Sequence, residues 1–262
     1  MKKLETKSTV LLKHHLKALK MPTMHEECEK IAARCAKENV DHLGFLLQLC
    51  EQELIDRERR AADRRLMAAK FPNYKTLEDF KFEAQPTINR VLVSELMRGE
   101  YIEKRESAIL IGHPGTGKTH LCLALVQEWC LQGRRVYYAT AADLIQQLLK
   151  AKADLTLPGI IKKLDRFEVL IIDDISYTAC DKQETDVLFT LLSARYEMRS
   201  IVITSNLAFG QWNQIFKDEM TTQAAIDRLV HHAIILELNG ESYRVKAAKE
   251  RNKKDEKEEV TT

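Results

Sequence analysis

The sequence predicts an α/β protein, with a parallel five-stranded sheet covered by helices on both faces and a small helical N-terminal domain ahead of it. Three observations carry this. From about residue 107, short apolar runs rich in β-branched residues alternate with longer helical segments, as buried parallel strands and their crossover helices do. Residues 1–70 hold no such run and repeat apolar residues at helical spacing. The composition, 45% hydrophobic and 31% charged with nine Gly and five Pro, excludes collagen-like and low-complexity architectures.

The elements follow in order. Leu43, Phe45, Leu46, Leu47 and Leu49, then Leu54 and Ile55, give helical periodicity, and no Gly or Pro falls between Gly44 and Pro72. The stretch from Arg57 to Lys70 carries six basic residues and two acidic ones. Phe71-Pro-Asn-Tyr74 breaks the helix, so the helical domain is expected over 1–70, with a connector and the start of the next module over 71–106. The core, 107–246, contains strands at Ala108–Ile111, Arg135–Ala139, Glu168–Ile172, Ser200–Thr204 and Ala233–Leu238, and a helix from Lys118 to Leu131. Residues 247–262 are mixed-charge and read as a disordered tail. No internal repeat is present.

Composition narrows the function classes. No apolar run approaches the length of a membrane-spanning helix, and the basic N-terminus is not followed by the apolar segment of a secretory signal. Cys28, Cys35, Cys50, Cys122, Cys130 and Cys180 form no Cys-x-x-Cys pair and read as buried free thiols, which implies a cytoplasmic protein. The net charge of +2 neither demands nor excludes a nucleic-acid partner.

Gly112-His113-Pro114-Gly115-Thr116-Gly117-Lys118-Thr119, with His120 next, matches the phosphate-binding loop pattern and lies between a predicted strand and a predicted helix. Glycines let backbone N–H groups wrap the phosphates, Lys118 neutralises them, and the Thr119 hydroxyl ligates Mg²⁺. Lys118 is expected to face solvent until phosphate arrives. Val169-Leu-Ile-Ile-Asp173-Asp174 supplies two carboxylates at the C-terminal end of a buried strand. Asp173 suits the Mg²⁺ shell through water, and Asp174 suits an attacking water. ATP and Mg²⁺ are thus the expected cofactors. Asn206 in Thr204-Ser205-Asn206 either reaches the water or γ-phosphate or merely caps a turn.

Residues well outside these motifs resemble a known family. Leu16-Lys-Ala-Leu-Lys-Met-Pro22, Phe71-Pro-Asn-Tyr-Lys-Thr-Leu-Glu-Asp-Phe80, Gln85-Pro-Thr-Ile-Asn-Arg90, Ile203-Thr-Ser-Asn206, Ala225-Ile-Asp-Arg-Leu-Val-His-His232 and Gly240-Glu-Ser-Tyr-Arg244 are similar to IstB proteins. These are AAA+ phosphate-loop ATPases of the helicase-loader branch, encoded beside the transposase of one group of bacterial insertion sequences. The resemblance covers roughly residues 10–246 and implies an AAA+ core. It makes Asn206 the sensor 1 residue, Arg228 the arginine finger of a neighbouring subunit, and Arg244 the sensor 2 residue. From the residues alone, either Arg could be a surface ion-pair partner. Two departures stand out: the acidic pair ends in Asp174 rather than Glu, and fewer than 25 residues follow the fifth strand, so the C-terminal lid is expected to be largely missing.

The resemblance implies an oligomeric ATPase that assembles on double-stranded DNA and recruits its transposase. A replicative-helicase loader and a nucleotide-gated scaffold with little turnover are the alternatives. Two basic clusters compete for DNA: Arg57, Arg60 and Arg64 in the N-terminal domain, and Lys150, Lys152, Lys162 and Lys163 between the second and third strands.

Overall fold

A computed structural model describes residues 7–175, 181–216, 219–240, 242 and 243. The tail 247–262, Cys180 and Arg244 lie outside the described residues. The chain forms two compact units, Met1–Arg64 and Arg65–Thr262.

The first unit is built from α1 (Lys7–Ala18), α2 (Pro22–Lys37) and most of α3 (His42–Ala69). Leu16, Met24, Cys28, Ile31, Cys35 and Leu49 form its core. Leu43, Leu46, Leu47, Leu54 and Ile55 are helical but exposed, whereas Phe45 and Leu49 of the same run face the core. A buried carboxylate organises this unit. Glu53 accepts the backbone N–H groups of Thr23 (2.8 Å) and Met24 (3.0 Å), capping α2 from another helix. Burial of that charge demands compensation. Arg60 supplies it at 3.1 Å, with a second hydrogen bond to the Thr23 hydroxyl, and Arg57 lies 3.6 Å away.

In the second unit α3 ends at Ala69, where Lys70 turns left-handed (φ 60°) just before Phe71-Pro72. The connector holds α4 (Arg90–Arg98), capped by the Asn89 side chain, and α5 (Glu100–Glu103). The core then runs β1 (Ser107–Gly112), α6 (Lys118–Leu131), β2 (Val136–Thr140), α7 (Ala141–Ala153), α8 (Leu157–Leu164), β3 (Val169–Asp173), α9 (Lys182–Arg195), β4 (Ser200–Ser205), α10 (Asn213–Phe216), α11 (Glu219–Val230) and β5 (Ala233–Leu238). Every strand lies within one residue of its predicted bounds.

The sheet is wholly parallel, in the order β2-β3-β4-β1-β5. Alternate strand residues serve two cores. Ile109, Ile111, Leu170, Ile172, Ile201 and Ile203 face one layer, which includes residues of α7, α9 and α11. Ala108, Leu110, Val169, Ile171 and Val202 face the other, with Leu96, Leu121, Leu125 and Trp129. Cys122 and Cys130 are buried on α6. Both faces are buried, which is why the strands read as unbroken apolar runs.

Arg195 pins the end of the sheet where the strands begin. It is fully buried and donates to the carbonyls of Leu164 (3.0 Å), Phe167 (3.1 Å) and Ser200 (3.0 Å). Burial lowers its pKa to about 10, so the guanidinium stays charged at neutral pH. Replacing it with Met strands those carbonyls, and Arg195→Met should cost about 3 kcal/mol in urea unfolding. A loss under about 1 kcal/mol would mean that the carbonyls find other donors.

Candidate active site

The phosphate loop joins β1 to α6 at the C-terminal edge of the sheet. Gly115 (φ 81°) and Gly117 (φ 100°) are left-handed, a region closed to most side chains. A Cβ at Gly115 would stand 2.2 Å from the Ser242 hydroxyl, and one at Gly117 would stand 2.9 Å from the Phe80 ring. Thr116 turns its hydroxyl back to the His113 carbonyl at 2.8 Å, while His113 and Pro114 are exposed at the rim. His120 meets the Thr76 carbonyl (3.2 Å) and the edge of Phe80, fastening the connector to α6.

Lys118 does not face solvent, contrary to expectation. It is 7% exposed and donates to the carbonyls of Gly112 (2.6 Å) and His113 (2.9 Å) and to Asn206 Oδ1. The physical reason is that an ammonium in this concave loop meets carbonyls before it meets water. Asn206 turns its other end to the acid, its Nδ2 donating to Asp174 Oδ1 at 3.1 Å. The amide therefore bridges cation and anion with the polarity each requires. β4 is the neighbour of both β1 and β3, which brings the three residues together.

Asp173 ends β3 at 5% exposure and accepts from three hydroxyls. Tyr138 donates to Oδ2 at 2.7 Å; Thr204 (2.5 Å) and Thr119 (3.2 Å) donate to Oδ1. Burial, reinforced by the Asp173 charge, drives the Tyr138 hydroxyl far above the ordinary phenol range, so it remains a donor. Thr204 serves both acids, since its oxygen also accepts the Asp174 N–H at 2.8 Å. Asp174 sits at φ 61°, a left-handed backbone that a non-glycine residue adopts at a cost, here secured by Thr204 and Asn206. The sequence carries no sign of these roles: Tyr138 reads as an ordinary strand residue and Thr204 only as the start of the polar triplet that ends β4. Alternation along β2 marks the face of Tyr138 but not its partner.

Lys118, Thr119, Asp174, Thr204 and Asn206 line an open cleft of about 940 Å³ together with Pro72, Lys75, Asp79, Phe80, Gln85 and Tyr243, with Asp173 and Tyr138 buried behind it. Tyr243 N donates to the Gly115 carbonyl (3.0 Å), and Gly240 N to Gln85 Oε1 (3.0 Å), so the chain beyond β5 lies against the phosphate loop. The glycine cradle and helix N-terminus suit a polyphosphate. Thr119 and Asp173, adjacent oxygen donors, suit Mg²⁺; with three hydroxyls already on Asp173, contact through water fits its carboxylate.

Arg228 is elsewhere. It stacks over Phe189 (5.1 Å), donates to the Ala224 carbonyl (3.0 Å), and lines a small hollow with Arg105, Ser107 and His232. Ser107 opens β1, whereas the phosphate loop follows its last residue. Five residue steps of strand separate the two ends by roughly 17 Å. Of the proposed DNA contacts, Arg57 and Arg60 are engaged by Glu53, while Arg64 is exposed. Lys150, Lys162 and Lys163 are exposed, and Lys152 lies 3.6 Å from Asp186.

No helix among the described residues is long and apolar enough to cross a membrane. Comparison with solved structures supports the AAA+ fold of the core. The chain is similar to the DnaC helicase loader (TM-score 0.50, 17% identity, 67% of this chain and 99% of that one). It is also similar to AMPPCP-bound DnaA of Aquifex aeolicus (TM-score 0.53, 22% identity, 70% of this chain and 56% of that one). Among sequences, an insertion-sequence ATP-binding protein of Sinorhizobium fredii is 42% identical, covering 90% of this chain and 79% of its own length. One from Pseudomonas aeruginosa is 39% identical over 88% of this chain and 87% of its own. Residues 14–251 match the family described as IstB-like ATP binding protein, and the chain belongs to that family.

Proposed function

We propose that this protein is a Mg²⁺-dependent ATPase that assembles as an oligomer on double-stranded DNA and recruits the transposase of its insertion sequence. The observation that carries the enzymatic part is the chain Lys118–Asn206–Asp174 beside the Thr119–Asp173 pair. Backbone N–H groups of the loop and Lys118 bind the β- and γ-phosphates. Thr119 and Asp173 hold Mg²⁺, which when bound neutralises charge on the phosphoryl oxygens. Asp174 takes the proton of the attacking water while Asn206 fixes its carboxylate, and ATP and water leave as ADP and phosphate. Steady-state turnover of wild type and Asp174→Asn, with and without duplex DNA, tests this reading. No turnover in either condition leaves a nucleotide-gated scaffold.

The relatives named for insertion sequences favour transposition over helicase loading. Capture of transposase rather than helicase by the ATP-bound protein is the expected result.

The position of Arg228 supports a role across subunits. Roughly one sheet length from its own phosphate loop, its charge is available to a neighbour's site. Arg228→Ala should bind ATP normally and lose most turnover. Mixing it with Lys118→Ala should restore part of the activity, because one interface then joins an intact loop to an intact Arg228. Absence of rescue in mixtures that co-assemble would place its role within one subunit.

A further inference from the structure

The turn between α7 and α8 carries a residue that neither its backbone nor its solvation explains. Asp154 caps α7, then Leu155 N donates to the Lys152 carbonyl (3.2 Å) and Thr156 N to the Ala151 carbonyl (2.7 Å). This is the paired helix ending that favours glycine at the left-handed position. Leu155 occupies that position at φ 56° and is 90% exposed. Other described left-handed residues outside glycine are Lys20, Asn39, Lys70, Arg105, Asp174 and Glu197, all polar or charged; Leu155 alone is apolar. Its neighbours Leu157, Ile160 and Ile161 turn into the core, so Leu155 is not a frayed piece of it.

The charge around the tip says what it meets. Lys150 and Lys152 stand in the last turn of α7, just before Leu155 in the chain, and Lys162 and Lys163 in the last turn of α8, after it. All four are exposed, Lys152 with its ammonium 3.6 Å from Asp186. A projecting apolar side chain bracketed by cations matches a duplex, whose phosphates flank stacked apolar bases. Apolar wedges of this kind enter between base steps and unstack them. We propose that Leu155 is such a wedge: the lysines grip phosphates on either side while the side chain inserts into a base step of double-stranded DNA. This rests on the DNA-binding reading above and adds the residue and the mode of contact. Sequence-independent grip comes from the lysines, and preference for easily unstacked pyrimidine–purine steps comes from the wedge.

The test uses the full chain with an ATP analogue and a duplex containing 2-aminopurine, whose fluorescence rises when its base is unstacked. Wild type should raise that signal about twofold or more on binding, and more at a TA step than within an A-tract. Leu155→Gly and Leu155→Asn fit the left-handed backbone, so their thermal midpoints should be unchanged or raised by up to about 4 °C. Both should lose the fluorescence rise while still binding the duplex, with affinity within about tenfold of wild type by anisotropy. Leu155→Met should keep it. Duplex binding with no fluorescence rise, or a rise that survives in the Gly variant, overturns the wedge and leaves DNA binding standing. No duplex binding by wild type at any analogue concentration overturns the DNA-binding reading itself.

Discussion

Lys118→Ala should weaken ATP binding by at least about a hundredfold in calorimetry, since a buried charge on a phosphate contributes several kcal/mol. The variant has a structural cost as well. Lys118 donates to two loop carbonyls and to Asn206, so its removal leaves acceptors without their donor. We expect a stability loss of about 1–3 kcal/mol without nucleotide, enough to lower the thermal midpoint while preserving cooperative unfolding. Lys118→Arg separates the two effects, because the charge is retained but the fork cannot fit three acceptors arranged for an ammonium. It should bind ATP poorly too. Unchanged affinity in Lys118→Ala would remove the phosphate loop from the nucleotide site.

Asp174→Asn should retain ATP and slow hydrolysis by at least about two orders of magnitude, the scale of general-base loss, or close to 3 kcal/mol of barrier. The amide preserves shape and the hydrogen bond from its own N–H to Thr204, so the left-handed backbone survives. What it loses is proton affinity, and its contact with the Asn206 amide must reorganise. Nucleotide affinity near wild type, measured on the same protein, distinguishes this from damage to the loop. A wild-type rate would show that the base lies elsewhere. Thr204→Val should be nearly as harmful, since one hydroxyl positions both acids. Tyr138→Phe, which removes a single donor from Asp173, should act more mildly and chiefly on the Mg²⁺ concentration needed for half-maximal turnover.

The strands were legible because both faces of the sheet are buried, so each strand shows as an uninterrupted apolar run with polar ends. The phosphate loop was legible because backbone geometry demands glycine at fixed positions. Partnerships that depend on strand order were not. Asn206 meets Lys118 and Asp174 only because β4 inserts between β1 and β3, a fact of pairing that no local spacing carries. The pairing of Arg57 and Arg60 with Glu53 was not legible for another reason. Arg57 and Arg60 look like a solvated face until Glu53 is known to be buried, and a helical repeat shows that Glu53 is near them but not that it caps α2. Exposed leucines on the same helix show the converse, apolar spacing without burial.

The occupied Lys118 has a kinetic consequence. Its ammonium has an internal set of oxygen acceptors in Gly112, His113 and Asn206, so ATP must compete with groups tethered a few ångströms away rather than with bulk water. Association then becomes an exchange in two stages, an initial encounter followed by transfer of the ammonium from Asn206 to phosphate. Stopped-flow traces should show an observed rate that levels off as ATP is raised, with an apparent association rate constant below roughly 10⁵–10⁷ M⁻¹s⁻¹, the range typical of association that needs no rearrangement. Asn206→Ala, by removing the internal competitor, should lift that plateau even as it impairs turnover.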